Sequence, residues 1–129
     1  MGRQFFVTSK HVTGGARLIG ILSENQDGYK FEYKLNGKLQ EWFLLIDEFP
    51  DVSKIYTGEE VERFINRIIP PKDNIYINEL MESANLSTYD VWEMLKVFGL
   101  RNCSRQDAYL HEMLPEGVVV YESLDTISV

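Results

Sequence analysis

The sequence predicts an α+β domain, an antiparallel β-sheet or partly closed barrel with about three helices packed on one side. Three observations carry this. The first fifty residues hold short β-prone runs divided by Gly, Asn and Asp; residues 57–99 switch to a helical period; residues 108–122 return to strand-like runs. A length of 129 residues suits one domain, so 1–129 reads as a single unit with a β-rich part (1–50), a helical part (57–99) and C-terminal strands (108–122).

The first strand is expected over Gln4 to Thr8. After Thr13-Gly14-Gly15 comes a second, Ala16 to Ser23, and Asp27-Gly28 supplies the next turn. From Tyr29 to Leu35 the chain alternates Tyr29, Phe31, Tyr33 and Leu35 with Lys30, Glu32 and Lys34, which sends one row to the core and one to water. Asn36-Gly37 favours a two-residue type I′ turn, so Lys38 to Ile46 is expected to return antiparallel.

The period then changes. Thr57-Gly58-Glu59-Glu60 fits a capping box, with the Thr57 hydroxyl on the Glu60 amide and the Glu60 carboxylate on the Thr57 amide. Val61, Phe64, Ile65 and Ile68 follow on one helix face, and Pro70-Pro71 ends the helix. A second helix is expected from Ile75 to Ala84, with Ile77, Leu80, Met81 and Ala84 inward. A third starts after Ser87, has Asp90 near its N-terminus, turns Val91, Met94, Leu95 and Phe98 inward, and stops at Gly99 as a C′ residue. Ala108 to Leu114 and Val118 to Glu122, separated by Pro115-Glu116-Gly117, form a second hairpin or place the last strand on another edge.

Composition narrows the function. Apolar residues at 44% and charged residues at 26% describe a folding globular chain, and seven Phe, seven Tyr and two Trp supply core bulk without a metal or disulfide staple. One cysteine, Cys103, excludes an internal disulfide, and with His11 and His111 alone beside it no Cys/His metal cluster assembles. Runs such as Phe43 to Ile46 and Val118 to Tyr121 are far shorter than the ~20 apolar residues of a membrane helix. A cytoplasmic protein without cofactors is the expectation.

Charge is unevenly spread. Residues 1–40 hold six Lys/Arg against three Asp/Glu, and residues 41–129 hold seven against seventeen, a +3 and a −10 that give the net −7. An acidic body repels phosphate backbones and suits a protein partner with a cationic cleft.

Motifs for catalysis are missing. Thr13-Gly14-Gly15-Ala16 lacks the Lys-Ser/Thr of a phosphate loop, and there is neither a His-Arg-Asp loop nor an Asp-Phe-Gly triplet of a kinase. The pairs Asp47/Glu48 and Glu59/Glu60 read as solvated surface in a chain with twenty acids. Aromatic residues are the stronger lead. Trp42 and Phe43 are consecutive in an expected strand, so they face opposite sides of the sheet, and one of them is a candidate partner contact. Trp92 lies ~100° round the helix from Val91 and is either core edge or partner contact. Arg101, Arg105 and Asp107, after the third helix, are further candidates for partner binding.

A family resemblance runs from about residue 16 to 122. Arg17-Leu18-Ile19-Gly20-Ile21-Leu22-Ser23 followed by Asp27-Gly28-Tyr29-Lys30-Phe31-Glu32-Tyr33 resembles the opening hairpin of the N-terminal subdomain of HipA-family toxin kinases, which reads Val-Gly-x-Leu and then Phe-x-Tyr. Val61 to Pro70 is similar to that family's helix ending in Phe-Phe-x-x-Leu-Leu-Pro, Val91 to Gly99 to its Phe-Asp-Leu-Leu-x-x-Ile-Gly helix end, and Ala108 to Glu116 to the strand that follows. The order of the motifs carries the likeness. The family continues into a long kinase domain, and its Gly-rich segment after the third helix is replaced here by Leu100 to Asp107. The resemblance therefore implies a stand-alone version of this subdomain. In some three-part toxin–antitoxin systems such a protein accompanies a shortened HipA-like Ser/Thr kinase and a helix-turn-helix DNA-binding protein, and acts as antitoxin by restraining the kinase. An acidic domain without catalytic groups would dock on a cationic ATP cleft or hold the kinase lobes apart.

Three other readings compete. A nucleic-acid-binding module would use a basic, aromatic β-face of Arg3, Lys10, Arg17, Lys30 and Lys34 around Tyr29, Phe31 and Tyr33. A small enzyme would centre on Cys103 and His111. A third possibility is an interaction factor that turns the same domain on another target.

Overall fold

A computed structural model of the chain describes residues 3–9, 17–26, 28–34, 45–101 and 108–118. Along them run β1 (Gln4–Ser9), β2 (Leu18–Asn25), β3 (Gly28–Tyr33), β4 (Ile55–Thr57), α1 (Glu59–Ile68), α2 (Ile77–Ser83), α3 (Val91–Arg101) and β5 (Ala108–His111). The strands form one antiparallel sheet in the order β4-β3-β2-β1-β5, open and not closed into a barrel, with the helices on one side. The fold is α+β, in its open-sheet form.

Register follows the alternation read from β3. Phe31 pairs with Leu22 and Tyr56, and Phe5 pairs with Leu22, so Phe5, Leu22, Phe31 and Tyr56 share the helix-facing side and are buried. A bulge after Val7 shifts the β1–β2 pairing, where Thr8 meets Leu18. On β1's other side Val7 pairs with Leu110 and Phe6 with His111.

The returning strand expected after Asn36-Gly37 lies, through residue 44, outside the described residues. Its last residue, Ile46, forms an isolated bridge with Phe49, and β4, unforeseen as a strand, takes the edge of β3 across Lys30, Phe31 and Glu32. In the C-terminal region β5 stops at His111 and joins β1; residues 119–122 of the expected last strand are outside the described residues.

The helices differ from expectation mainly at their ends. Thr57 does not cap α1, because it is the last residue of β4, paired with Lys30. Gly58 takes the N-cap position at φ 71°, a left-handed conformation that glycine enters without steric cost, and no side chain caps the helix. Acidic Glu59, Glu60 and Glu62 in the first turn complement the helix dipole instead. Of the expected inward stripe, Val61, Phe64 and Ile65 are buried and Ile68 is half-buried against the core.

Helix α2 begins two residues later than predicted, leaving Ile75 and Tyr76 exposed. It ends on Asn85, the one non-glycine residue at positive φ among the described residues, with Leu86 N–H donating to Met81 O and Asn85 N–H to Glu82 O. That is a Schellman motif. Asp90 caps α3, its Oδ1 accepting from the Glu93 N–H at 3.2 Å.

Gly99 does not stop α3. It lies inside the helix where a Cβ would come within 2.8 Å of the Leu110 Cβ, so its missing side chain lets α3 settle on β5. The last turn of α3 runs on to Arg101.

The core has two aromatic centres. Phe31 stacks on Phe49 (centroids 4.5 Å apart, planes at 14°), and Phe64 and Tyr56 close round Phe49 at 5.3 and 4.8 Å. Beside them Phe5 stacks on Trp92 at 4.1 Å. Burying each such ring stabilises the fold by roughly 1.5–3 kcal/mol.

Candidate interaction surface

The segment between residue 45 and β4 is built round two tyrosines. The buried Tyr33 hydroxyl donates to the Phe49 carbonyl at 2.5 Å and accepts from the Ile46 N–H at 2.8 Å, while Phe49 N–H donates to Ile46 O. One phenol thus satisfies both ends of the Ile46–Phe49 turn, and burial holds its pKa well above the ordinary tyrosine value. Further along, the Tyr56 hydroxyl accepts from the Asp51 N–H at 2.8 Å.

Asp51 is itself a local organiser. Its Oδ1 accepts from the Ser53 hydroxyl at 2.7 Å and the Ser53 N–H at 2.9 Å, an Asx turn, and these bonds hold its carboxyl below the usual range. Glu48 is clamped in a two-bond ion pair with Arg67 of α1, the Nε–Oε2 contact being 2.6 Å, and the guanidinium lies over Phe64 at 5.8 Å. Lys54 Nζ sits 4.9 Å from the Tyr56 ring centre.

These contacts leave an open groove of about 580 Å³ between the 45–56 segment and α1. Its charged lining is Asp47, Glu48, Asp51 and Glu60 against Lys54 and Arg63. Arg63 also reaches Glu59 at 2.9 Å, so part of its charge is already neutralised from within α1. Of the acid pairs that read as solvated surface in the sequence, Asp47/Glu48 and Glu60 therefore meet round one groove, and Glu59 stands outside its lining. The arrangement favours a cationic group: the Asp51 carboxylate, held by the Ser53 N–H and hydroxyl, lines the groove with Asp47 and Glu60 beside the Arg67-paired Glu48, and together they attract positive charge.

Trp92 is a core residue. It is only 4% exposed, because its ring turns onto Phe5 under the N-terminal end of α3, and the Arg3 guanidinium covers it at 4.5 Å. Arg3 is fixed there by two bonds to Glu24, at 2.8 and 3.0 Å, which raise the arginine's pKa and lower the glutamate's. Arg101 is the last residue of α3, and Trp42, Arg105 and Asp107 lie outside the described residues.

The basic aromatic β-face is divided by the pleat. Tyr29, Phe31 and Tyr33 point to the helices, Phe31 and Tyr33 being buried, whereas Lys30 and Lys34 belong to the opposite row. Tyr29 is half-buried, and that burial raises its pKa. Lys34 lies 3.9 Å from Glu32, and Arg17 enters β2 with its N–H donating to the Ser9 hydroxyl. Lys30 and Lys34 thus lie on the opposite side of the sheet from Phe31 and Tyr33, and Lys10 lies outside the described residues.

His111 Nε2 lies 3.0 Å from the buried Thr8 hydroxyl, and burial lowers the imidazole pKa. Cys103 and His11 lie outside the described residues. Among the described residues no three His, Cys, Asp or Glu side chains gather as metal ligands, and no helix is long and apolar enough to cross a membrane. No family model, curated protein or solved structure matches the chain.

Proposed function

We propose that this chain is a non-catalytic interaction module that binds and restrains a basic protein partner. The partner suggested by the sequence resemblance is a HipA-like Ser/Thr kinase of a toxin–antitoxin system, with a helix-turn-helix DNA-binding protein as a further component. The carrying observation is the groove between the 45–56 segment and α1, where four carboxylates face two cations on a frame pinned by Tyr33 and Tyr56.

A kinase cleft that receives ATP is cationic where it holds the phosphates. Asp47, Asp51 and Glu60 would be drawn to such a surface, and the Asp51 carboxylate, already held by Ser53, needs little ordering to dock. The net charge of −7 adds long-range attraction that speeds encounter at low salt. Restraint then needs no chemistry from this chain: a bound acidic domain blocks nucleotide entry or keeps the lobes in an unproductive arrangement.

The test mixes the full chain with a purified HipA-like kinase that lacks its own N-terminal subdomain. Co-elution on size exclusion and loss of kinase autophosphorylation are expected; a kinase that stays fully active and elutes alone refutes the reading. A gel shift with single-stranded DNA or RNA at physiological salt separates it from nucleic-acid binding, for which no shift is expected.

A further inference from the structure

We draw no further inference here: the strongest candidate, the sheet face opposite the helices on which His111, Phe6, Ile21, Glu32 and Ile55 follow one another in a row across all five strands, carries nothing because nothing in the structure shows what covers it.

Discussion

The Tyr33 hydroxyl reaches the Phe49 carbonyl across sixteen residues of chain and ties the 45–56 segment to the end of β3. The same oxygen accepts the Ile46 N–H, so one atom sets both where the turn sits and where the acidic groove begins. Tyr33→Phe keeps the ring but strands a buried N–H and a buried C=O. The variant should lose about 1–3 kcal/mol of stability in urea unfolding, in line with leaving buried polar groups unpaired. Unchanged stability would show that the turn is held by other means.

Gly99 poses a sharper steric test. Alanine there would gain up to ~1 kcal/mol of helix propensity, yet its Cβ would stand 2.8 Å from the Leu110 Cβ, and overpacking of that kind costs roughly 1–3 kcal/mol. Gly99→Ala should therefore be destabilising in thermal unfolding, and adding Leu110→Gly, which removes that Cβ, should make the substitution at position 99 less harmful. Equal effects of Gly99→Ala in both backgrounds would contradict the close approach.

Trp92 is predicted to behave as core. Trp92→Ala should cost about 3–5 kcal/mol, as large-to-small changes of buried aromatics do. Trp92→Phe, which preserves stacking on Phe5, should cost less. A stable Trp92→Ala variant that loses only partner binding would reverse the assignment.

Stability should fall on mild acidification because of His111. Its pKa in the folded chain lies below the unfolded value of ~6.5, so the folded state favours neutral imidazole. The contribution is intact above that unfolded value, declines as pH drops between the unfolded and folded values, and is gone below the folded one. His111→Gln should flatten this part of the unfolding profile. The lowered carboxyl pKa values of Glu24 and Asp51 add stability that is present above ordinary carboxylate values and is lost at more acidic pH, as the solution passes their folded values.

Much of the architecture is legible in residue patterns because it is local. The alternation through Tyr29 to Tyr33 predicts β3, and Val61, Phe64 and Ile65 predict the buried side of α1. The misplaced features depend on partners distant in sequence. Thr57 looks like a helix cap until its pairing with Lys30 makes it strand, and Gly99 looks like a helix stop until Leu110 is set against it.

The groove is absent from the sequence reading, in which its acid pairs are solvated surface. Pro50 followed by Asp51-x-Ser53 signals a tight local turn, but nothing in the pattern places Asp47 opposite Glu60 or chooses Tyr33 as the anchor. Conversely, the pleat alone separates Lys30 and Lys34 from Phe31 and Tyr33, so the division of the basic aromatic face follows from period two without any tertiary contact.

Electrostatic docking through the groove is most directly tested by calorimetric titration of the full chain into the HipA-like kinase, comparing wild type with Asp47→Lys/Glu60→Lys at low and at physiological salt. At ~0.15 M ionic strength screening acts over about 8 Å, so carboxylates in direct contact keep part of their attraction while distant ones lose it. The account predicts that wild type binds at both salt concentrations, more tightly at the lower, and that charge reversal weakens binding at least tenfold with folding intact by circular dichroism. Equal affinities for the two proteins, or no heat of binding for wild type at either salt concentration, would contradict it.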